Sequence, residues 1–316
     1  MTSNPEYDVI IIGGGVAGLA AAVALARARR HILVVDAGHP RNAPAEHAHN
    51  YLGLEGIPPL ELLEKGRREA QSYGVEIRQG SVVATSGAIG DFTVELADGT
   101  NIAARRLLVT TGLTDELPDI PGLAERWGRE VLHCPYCHGW EVRDSTIGII
   151  GSSFGVHQAL MWRQWSDSIV LFTQDYAPTD EEYEKLAARG ITVVTDKIAE
   201  ILVENDALAG VKLFSDNTID VSAVVVKPNF AANGDILKGL GLETTDIKMG
   251  EHVMGSAIAT DPTGATSIEG VFAAGNVTAI TDILIAAAAA GVRTGGAVNQ
   301  SLIDEDIQVS LAARSA

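Results

Sequence analysis

At 316 residues, with 46% hydrophobic and 20% charged side chains, the chain is long enough for two packed domains of ordinary composition. Its formal charge of −18, from 23 basic and 41 acidic residues, argues against nucleic acid or an anionic membrane as partner, because few cations are available to neutralise phosphates. The leading MTSNPEYDV lacks the cationic region and cleavage site of a signal peptide, no apolar run reaches bilayer length, and there are two cysteines; together these read as a cytoplasmic protein.

Residues 7–12 (YDVIII) form a β-rich run suited to a central parallel strand buried on both faces. Gly13-Gly14-Gly15-Val16-Ala17-Gly18 follows, then an alanine-rich helical stretch to about Arg30, then a strand over 32–35 ending at Asp36. Strand, glycine turn, helix, strand and acid stand in the order a dinucleotide fold demands. Gly13 allows the tight turn, Gly15 lets backbone approach a pyrophosphate, and Gly18 lets helix pack on strand. Free N–H groups and partial positive charge at the helix start favour phosphate. Asp36 suits ribose hydroxyls and would repel a 2′-phosphate.

Residues 38–53 make a polar loop with His39, His47 and His49. Loops of that length are often functional, though these histidines by themselves read as loop surface. Pro58-Pro59 opens a helix to about Tyr73, ended by Gly74. Stretches 75–83 and 92–110 read as strands, with a hairpin turn at Asp98-Gly99. Thr110-Thr111-Gly112 then returns the chain toward the nucleotide.

After a crossover at 117–122 (LPDIPG) comes HCPYCHGWE, His133 to Glu141, which holds both cysteines, Cys134 and Cys137. Thiols at C-x-x-C spacing can cycle between dithiol and disulfide, a redox pair in a chain without a secretory signal. A free thiol of pKa ~8.5 is only about 3% thiolate at pH 7, and a neighbouring imidazolium raises that fraction. His133 and His138 are therefore candidates to activate sulfur or carry its proton. The blander readings are a structural disulfide or a Cys2His2 zinc site; a four-cysteine site needs more thiolates than the chain has. No metal is expected.

A second dinucleotide-like start follows: a strand over 146–150, Gly151-Ser152-Ser153-Phe154-Gly155-Val156, a helix to about Trp165 and a strand over 169–172. Here Ser153 stands at the second fingerprint position and Val156 at the third, obstructing a pyrophosphate. The strand ends on Thr173-Gln174-Asp175, without arginines for a 2′-phosphate. Asp175 keeps a ribose partner, so weak NADH binding stays open beside a relic fold without nicotinamide. Trp162 and Trp165 read as core packing or a pocket wall. Thr179 or Asp180 caps a helix that stops at Gly190, and four strands between 191 and 226 complete the domain. Near the end, 269–276 (EGVFAAGN) is a strand ending on Gly275 and Asn276, with an apolar helix after it.

GGGVAGLAAA, the inserted CPYC and GVFAAGN together resemble the low-molecular-weight thioredoxin reductase family of flavoproteins, over essentially the whole chain. That resemblance implies an α/β chain with two Rossmann-like, three-layer ββα nucleotide-binding domains, the second inserted into the first. It places a discontinuous FAD domain at 1–114 and 247–316, an inserted redox domain at 115–246, and commonly a homodimer. FAD then falls to Gly13, Gly14, Gly15, Val16, Ala17 and Gly18, with Asp36 and Ala37 at the ribose. Arg41, Asn42, His49, Asn50 and Val83 are implied on the adenosine side and the loop. Thr111, Gly112, Gly275, Asn276, Leu284 and Ile285 are implied along the remainder, with the last helix start toward the flavin ring.

The sequence departs from the reductases in three places. His138 stands where they carry an acid after the second cysteine, Asn276 stands where they carry Asp, and the NADPH turn and its arginines are missing. These departures, with CPYCHGWE and RNAP…HNYLG, resemble the oxygen-dependent dithiol oxidases that close disulfides in natural products such as holomycin and gliotoxin. That branch implies a small dithiol substrate attacking at Cys134, with Cys137 toward the flavin, His138 with His133 handling the proton, and O2 taking the electrons as H2O2. The rivals are a thioredoxin or disulfide reductase driven by NAD(P)H or another donor, and a flavin-bearing redox sensor.

Overall fold

The computed structural model describes residues 6–315; residues 1–5, on which much of the signal-peptide reading falls, lie outside the described residues. The described chain forms two compact units. One takes residues up to Arg41, Pro58–Thr114 and everything from Phe230; the other takes Asn42–Ile57 and Asp115–Asn229.

In the first unit β1 (Tyr7–Ile12) runs through the glycine turn into α1 (Val16–Arg27) and β2 (Ile32–Asp36), which lies parallel to β1 with Val9 opposite Ile32. Pro59 starts α2 (Pro59–Ser72), where a missing N–H costs nothing. Then come β3 (Glu76–Gln79), β4 (Val82–Ala88), β5 (Asp91–Leu96) and β6 (Asn101–Val109). The stretch expected as one strand over 75–83 is two, because Gly80 N–H donates to Asp36 O at 2.9 Å and ends the parallel pairing. The Asp98-Gly99 hairpin forms between β5 and β6, and a second one, not anticipated, turns at Gly90. Strand order is β3-β2-β1-β6-β5-β4.

The chain leaves along β7 (Leu113–Glu116). The second unit holds β8 (Val131–Leu132), α3 (Pro135–His138), β9 (Ile147–Ile150), α4 (Gly155–Trp162), β10 (Ile169–Phe172), α5 (Asp180–Ala188) and β11 (Thr192–Val194). An antiparallel ribbon of β12 (Ile198–Glu204), β13 (Ala207–Leu213) and β14 (Thr218–Asp220) precedes β15 (Ala223–Val225). The parallel sheet runs β11-β10-β9-β15-β8. One face packs Phe172 and Val224 against Ile201 and Val211 of the ribbon; the other packs Ile149 and Leu171 against Trp162 and Leu186 of the helices. Thr179 caps α5 in a reciprocal capping box with Glu182.

The chain returns through β16 (Asn229–Ala232), β17 (Thr245–Met249) and β18 (His252–Ala257) to β19 (Val271–Ala273), which joins β6 in parallel, and to α6 (Leu284–Ser315). Residues 230–246 belong to the first unit, where the sequence expects the inserted one, because Leu237 and Leu242 share a core with Phe92 and Leu107. Helices α1 and α6 press together: a Cβ on Gly291 would lie 2.0 Å from Ala17 O, a contact only glycine permits. Among the described residues no helix is long and apolar enough to cross a membrane.

Candidate active site

Three local constellations carry chemistry. In the first unit, Gly13 turns at φ +108°, and a Cβ there would strike Thr110 O at 2.5 Å. A Cβ on Gly18 would lie 2.0 Å from Gly13 O, so only glycine lets α1 sit this close to the turn. Gly15, just before α1, is different: a Cβ there meets nothing within 4 Å. The turn therefore leaves an open cradle in front of a helix start, the shape and polarity a pyrophosphate needs. Asp36 faces it from the end of β2, accepting from Gly14 N at 3.1 Å and from Arg67 Nη2 at 3.2 Å. Arg67 escaped the sequence, since a residue halfway along a separate helix has no spacing relation to Asp36.

The other nucleotide candidates of this unit lie as follows. Val16 and Ala17 open α1, and Ala37 is exposed after Asp36. The Arg41 guanidinium lies 5.3 Å from the Phe230 ring centre. Val83 is half exposed on β4. Thr111 donates its hydroxyl to Asn233 O at 2.7 Å, and Gly112 O accepts from Asn233 N at 3.1 Å. Gly275 is buried after β19. Asn276 donates to Ala279 O and Asp282 O at 3.0 and 2.9 Å, bracing the turn before Leu284 and Ile285 begin α6.

In the second unit Cys134 and Cys137 form a disulfide with Cα atoms 5.3 Å apart. Cys134 precedes the single turn of α3, and its carbonyl accepts from both Cys137 N and His138 N at 3.2 Å. Pro135 is the first helical residue. His133 stacks on Trp127, with ring centres 5.6 Å apart. His138 is mostly enclosed; both its ring nitrogens are buried without a hydrogen-bond partner. Burial lowers its pKa, against the pull of Glu141, while His49 lowers it further. The loop over 42–57 belongs to this unit: Asn42 begins it, His49 bridges Glu55 and Glu141, and Asn50 donates to Tyr136 O at 2.7 Å. Glu55 and Glu141 went unassigned from sequence, because isolated acids in a loop carry no periodicity.

The second glycine turn is longer than the first. Four residues, 151–154, separate β9 from α4, against three, 13–15, between β1 and α1. The residue preceding the helix is thus Phe154, one beyond Ser153, which stands at the second fingerprint position. Its ring lies 5.4 Å from Lys227 Nζ. Asp175, beyond β10, is ion-paired with Lys197. Trp162 is fully buried in the core, while Trp165 edges the Tyr136 ring at 5.4 Å between centres.

A family model described as pyridine nucleotide-disulphide oxidoreductase matches residues 7–295. The solved structure of HlmI superposes with a TM-score of 0.91 at 42% identity, over 98% of this chain and 96% of that one. The oxidoreductase from Agrobacterium tumefaciens does so with a TM-score of 0.88 at 38% identity, over 94% and 98%. Thioredoxin reductase sirT of Leptosphaeria maculans is 30% identical over 98% of this chain and 97% of its own. The matched span takes in both glycine turns and the Cys134–Cys137 pair, and the chain belongs to the pyridine nucleotide-disulphide oxidoreductase family, as an FAD-binding flavoprotein of the thioredoxin reductase-like kind.

Proposed function

We propose that the protein is an FAD-dependent dithiol oxidase, closing an intramolecular disulfide in a small-molecule dithiol with O2 as electron acceptor and H2O2 as product. The observation that carries this reading is the contrast between its two glycine turns. The first keeps an open cradle at Gly15; the second ends on Phe154, and its acid is engaged by Lys197. On this reading the second turn holds no reducing dinucleotide, and the electrons enter from the thiol substrate. Resemblance to the holomycin- and gliotoxin-type oxidases makes that substrate a compact natural-product dithiol, a dithiolopyrrolone or similar, handled by a cytoplasmic homodimer.

In this reading a substrate thiol gives its proton to His138, whose neutral ring is favoured by burial. The thiolate attacks Cys134 Sγ, the Cys134–Cys137 bond breaks, and Cys137 leaves as thiolate. The second substrate thiol, deprotonated in turn, attacks the substrate sulfur joined to Cys134. The product ring closes, Cys134 is released, and the electron pair stays on the enzyme dithiol. Gly13, Gly15, Gly18 and Asp36 would hold the FAD nucleotide, with Gly275 and Asn276 along the ribityl chain. When bound, FAD supplies the acceptor for the electron pair and the means of reducing oxygen to peroxide.

The test is turnover in air with a small dithiol and no nucleotide. One peroxide should form per disulfide over many cycles. Turnover only on adding NADPH or NADH would favour a second reading, a disulfide reductase, to which the name of the sirT relative, a thioredoxin reductase, points.

A further inference from the structure

The loop over 42–57 does more than cover the redox stretch. Asn50, at φ 59°, fixes the loop to α3 through Tyr136 O, and its N–H donates to Glu55 Oε2 at 2.9 Å. Beside it, His49 presents both ring nitrogens to carboxylates. Nδ1 lies 2.7 Å from Glu55 Oε1 and Nε2 3.3 Å from Glu141 Oε1, with the side chain only 18% exposed. Glu141 follows His138 by three residues, and His138 keeps two buried ring nitrogens with nothing to bond. A carboxylate held by His49, which Glu55 holds in turn, thus lies within electrostatic reach of an enclosed imidazole that must accept and release protons.

We propose that His49, backed by Glu55, is a positioning residue that holds the Glu141 carboxylate so that the proton taken by His138 leaves through Glu141. The inference rests on the dithiol chemistry of the site. The substrate S–H bond breaks and its electron pair stays on sulfur for attack at Cys134. The proton passes to a His138 ring nitrogen, then by way of water to Glu141, whose side chain is 40% exposed, and then to bulk solvent. Titratable or charged groups here include His47, whose ring centre lies 6.3 Å from that of His49, with His49 and Glu55 on the loop, and His133, Tyr136, Glu141 and Arg143 on the redox stretch. Two of them act on the charge of His138, and with opposite sign: Glu141 favours the imidazolium and His49 opposes it.

That opposition makes the proposal decidable. Anaerobic stopped-flow reduction of the Cys134–Cys137 disulfide by dithiothreitol is followed against pH for wild type, Glu141→Gln, His49→Gln and the double variant. Each single variant should lower the limiting rate about tenfold, less than the roughly 10²-fold or more expected on losing the base itself, with half-saturation unchanged. Both should move the acid limb to lower pH, and the double variant should be no worse than Glu141→Gln. An upward move in His49→Gln, which loss of a like-charged neighbour alone produces, overturns the proposal; so do multiplying losses in the double variant. Glu55→Gln, which leaves His49 in place, should shift the limb the same way by less, and histidine NMR of His138 reads the same shifts without turnover. Peroxide formation in air judges the oxidase reading separately: a protein inert to oxygen that still shows the downward shift keeps the relay and loses the oxidase.

Discussion

His138 has an enclosed imidazole whose pKa burial holds below the ordinary 6.5. Between its folded value and 6.5, the unfolded chain binds more protons than the folded one, so stability rises with pH across that window and falls as the ring is forced to protonate. The neutral, proton-accepting form therefore persists at neutral pH. The rate of dithiol oxidation should fall on an acid limb lying below pH 6.5, and His138→Gln should remove that limb while slowing turnover about 10²- to 10⁴-fold. An unchanged limb in the variant would assign it elsewhere. Cys134→Ser and Cys137→Ser should each abolish turnover with FAD retained; substantial activity in either would mean that substrate bypasses the pair. At Gly15 the backbone sits at φ −73° and a Cβ meets nothing within 4 Å. Gly15→Val should therefore fold with near-native stability yet purify colourless, and a stoichiometric yellow variant would remove the cradle from the cofactor site.

At the scale of elements, α6 is tied to β6 by Arg106, which is 1% exposed. It donates to Ser301 Oγ at 2.9 Å, Ser301 O at 3.0 Å and Glu305 Oε2 at 2.7 Å. Arg106→Ala leaves a cavity and unpaired acceptors and should cost about 3 kcal/mol in urea unfolding, whereas Arg106→Met with Glu305→Leu should recover most of it. Equal losses in both would mean that the hydrogen bonds of Arg106, and not its packing, hold the helix. How well elements were legible follows from their physics. The first β–turn–α unit was plain because Gly13, Gly15, Gly18 and Asp36 each answer a separate steric or electrostatic demand. In the second turn Ser153 and Val156 were legible at the fingerprint positions, but nothing in GSSFGV marks where the helix starts, which the structure puts at Gly155. Loop 42–57 was invisible as part of the redox unit, because His49–Glu141 and Asn50–Tyr136 contacts join residues about ninety positions apart without any periodic signal.

For the whole molecule, the interrupted topology was legible from the order of its motifs. The two seams, at 42–57 and 230–246, were set by packing that no local pattern records, Leu237 against Phe92 being one instance. The central claim concerns where electrons enter, and it turns on the site that Phe154 and the Asp175–Lys197 pair alter. Losing two charge-assisted contacts to a 2′-phosphate at about 1.5–3 kcal/mol each moves a micromolar site toward millimolar. The most direct measurement mixes the yellow protein anaerobically with NADPH, NADH or a small dithiol and follows the flavin absorbance. The account expects the dithiol to bleach the flavin within about seconds, air to restore it with peroxide, and NADPH to leave it oxidised; rapid, saturable bleaching by micromolar NADPH would contradict it.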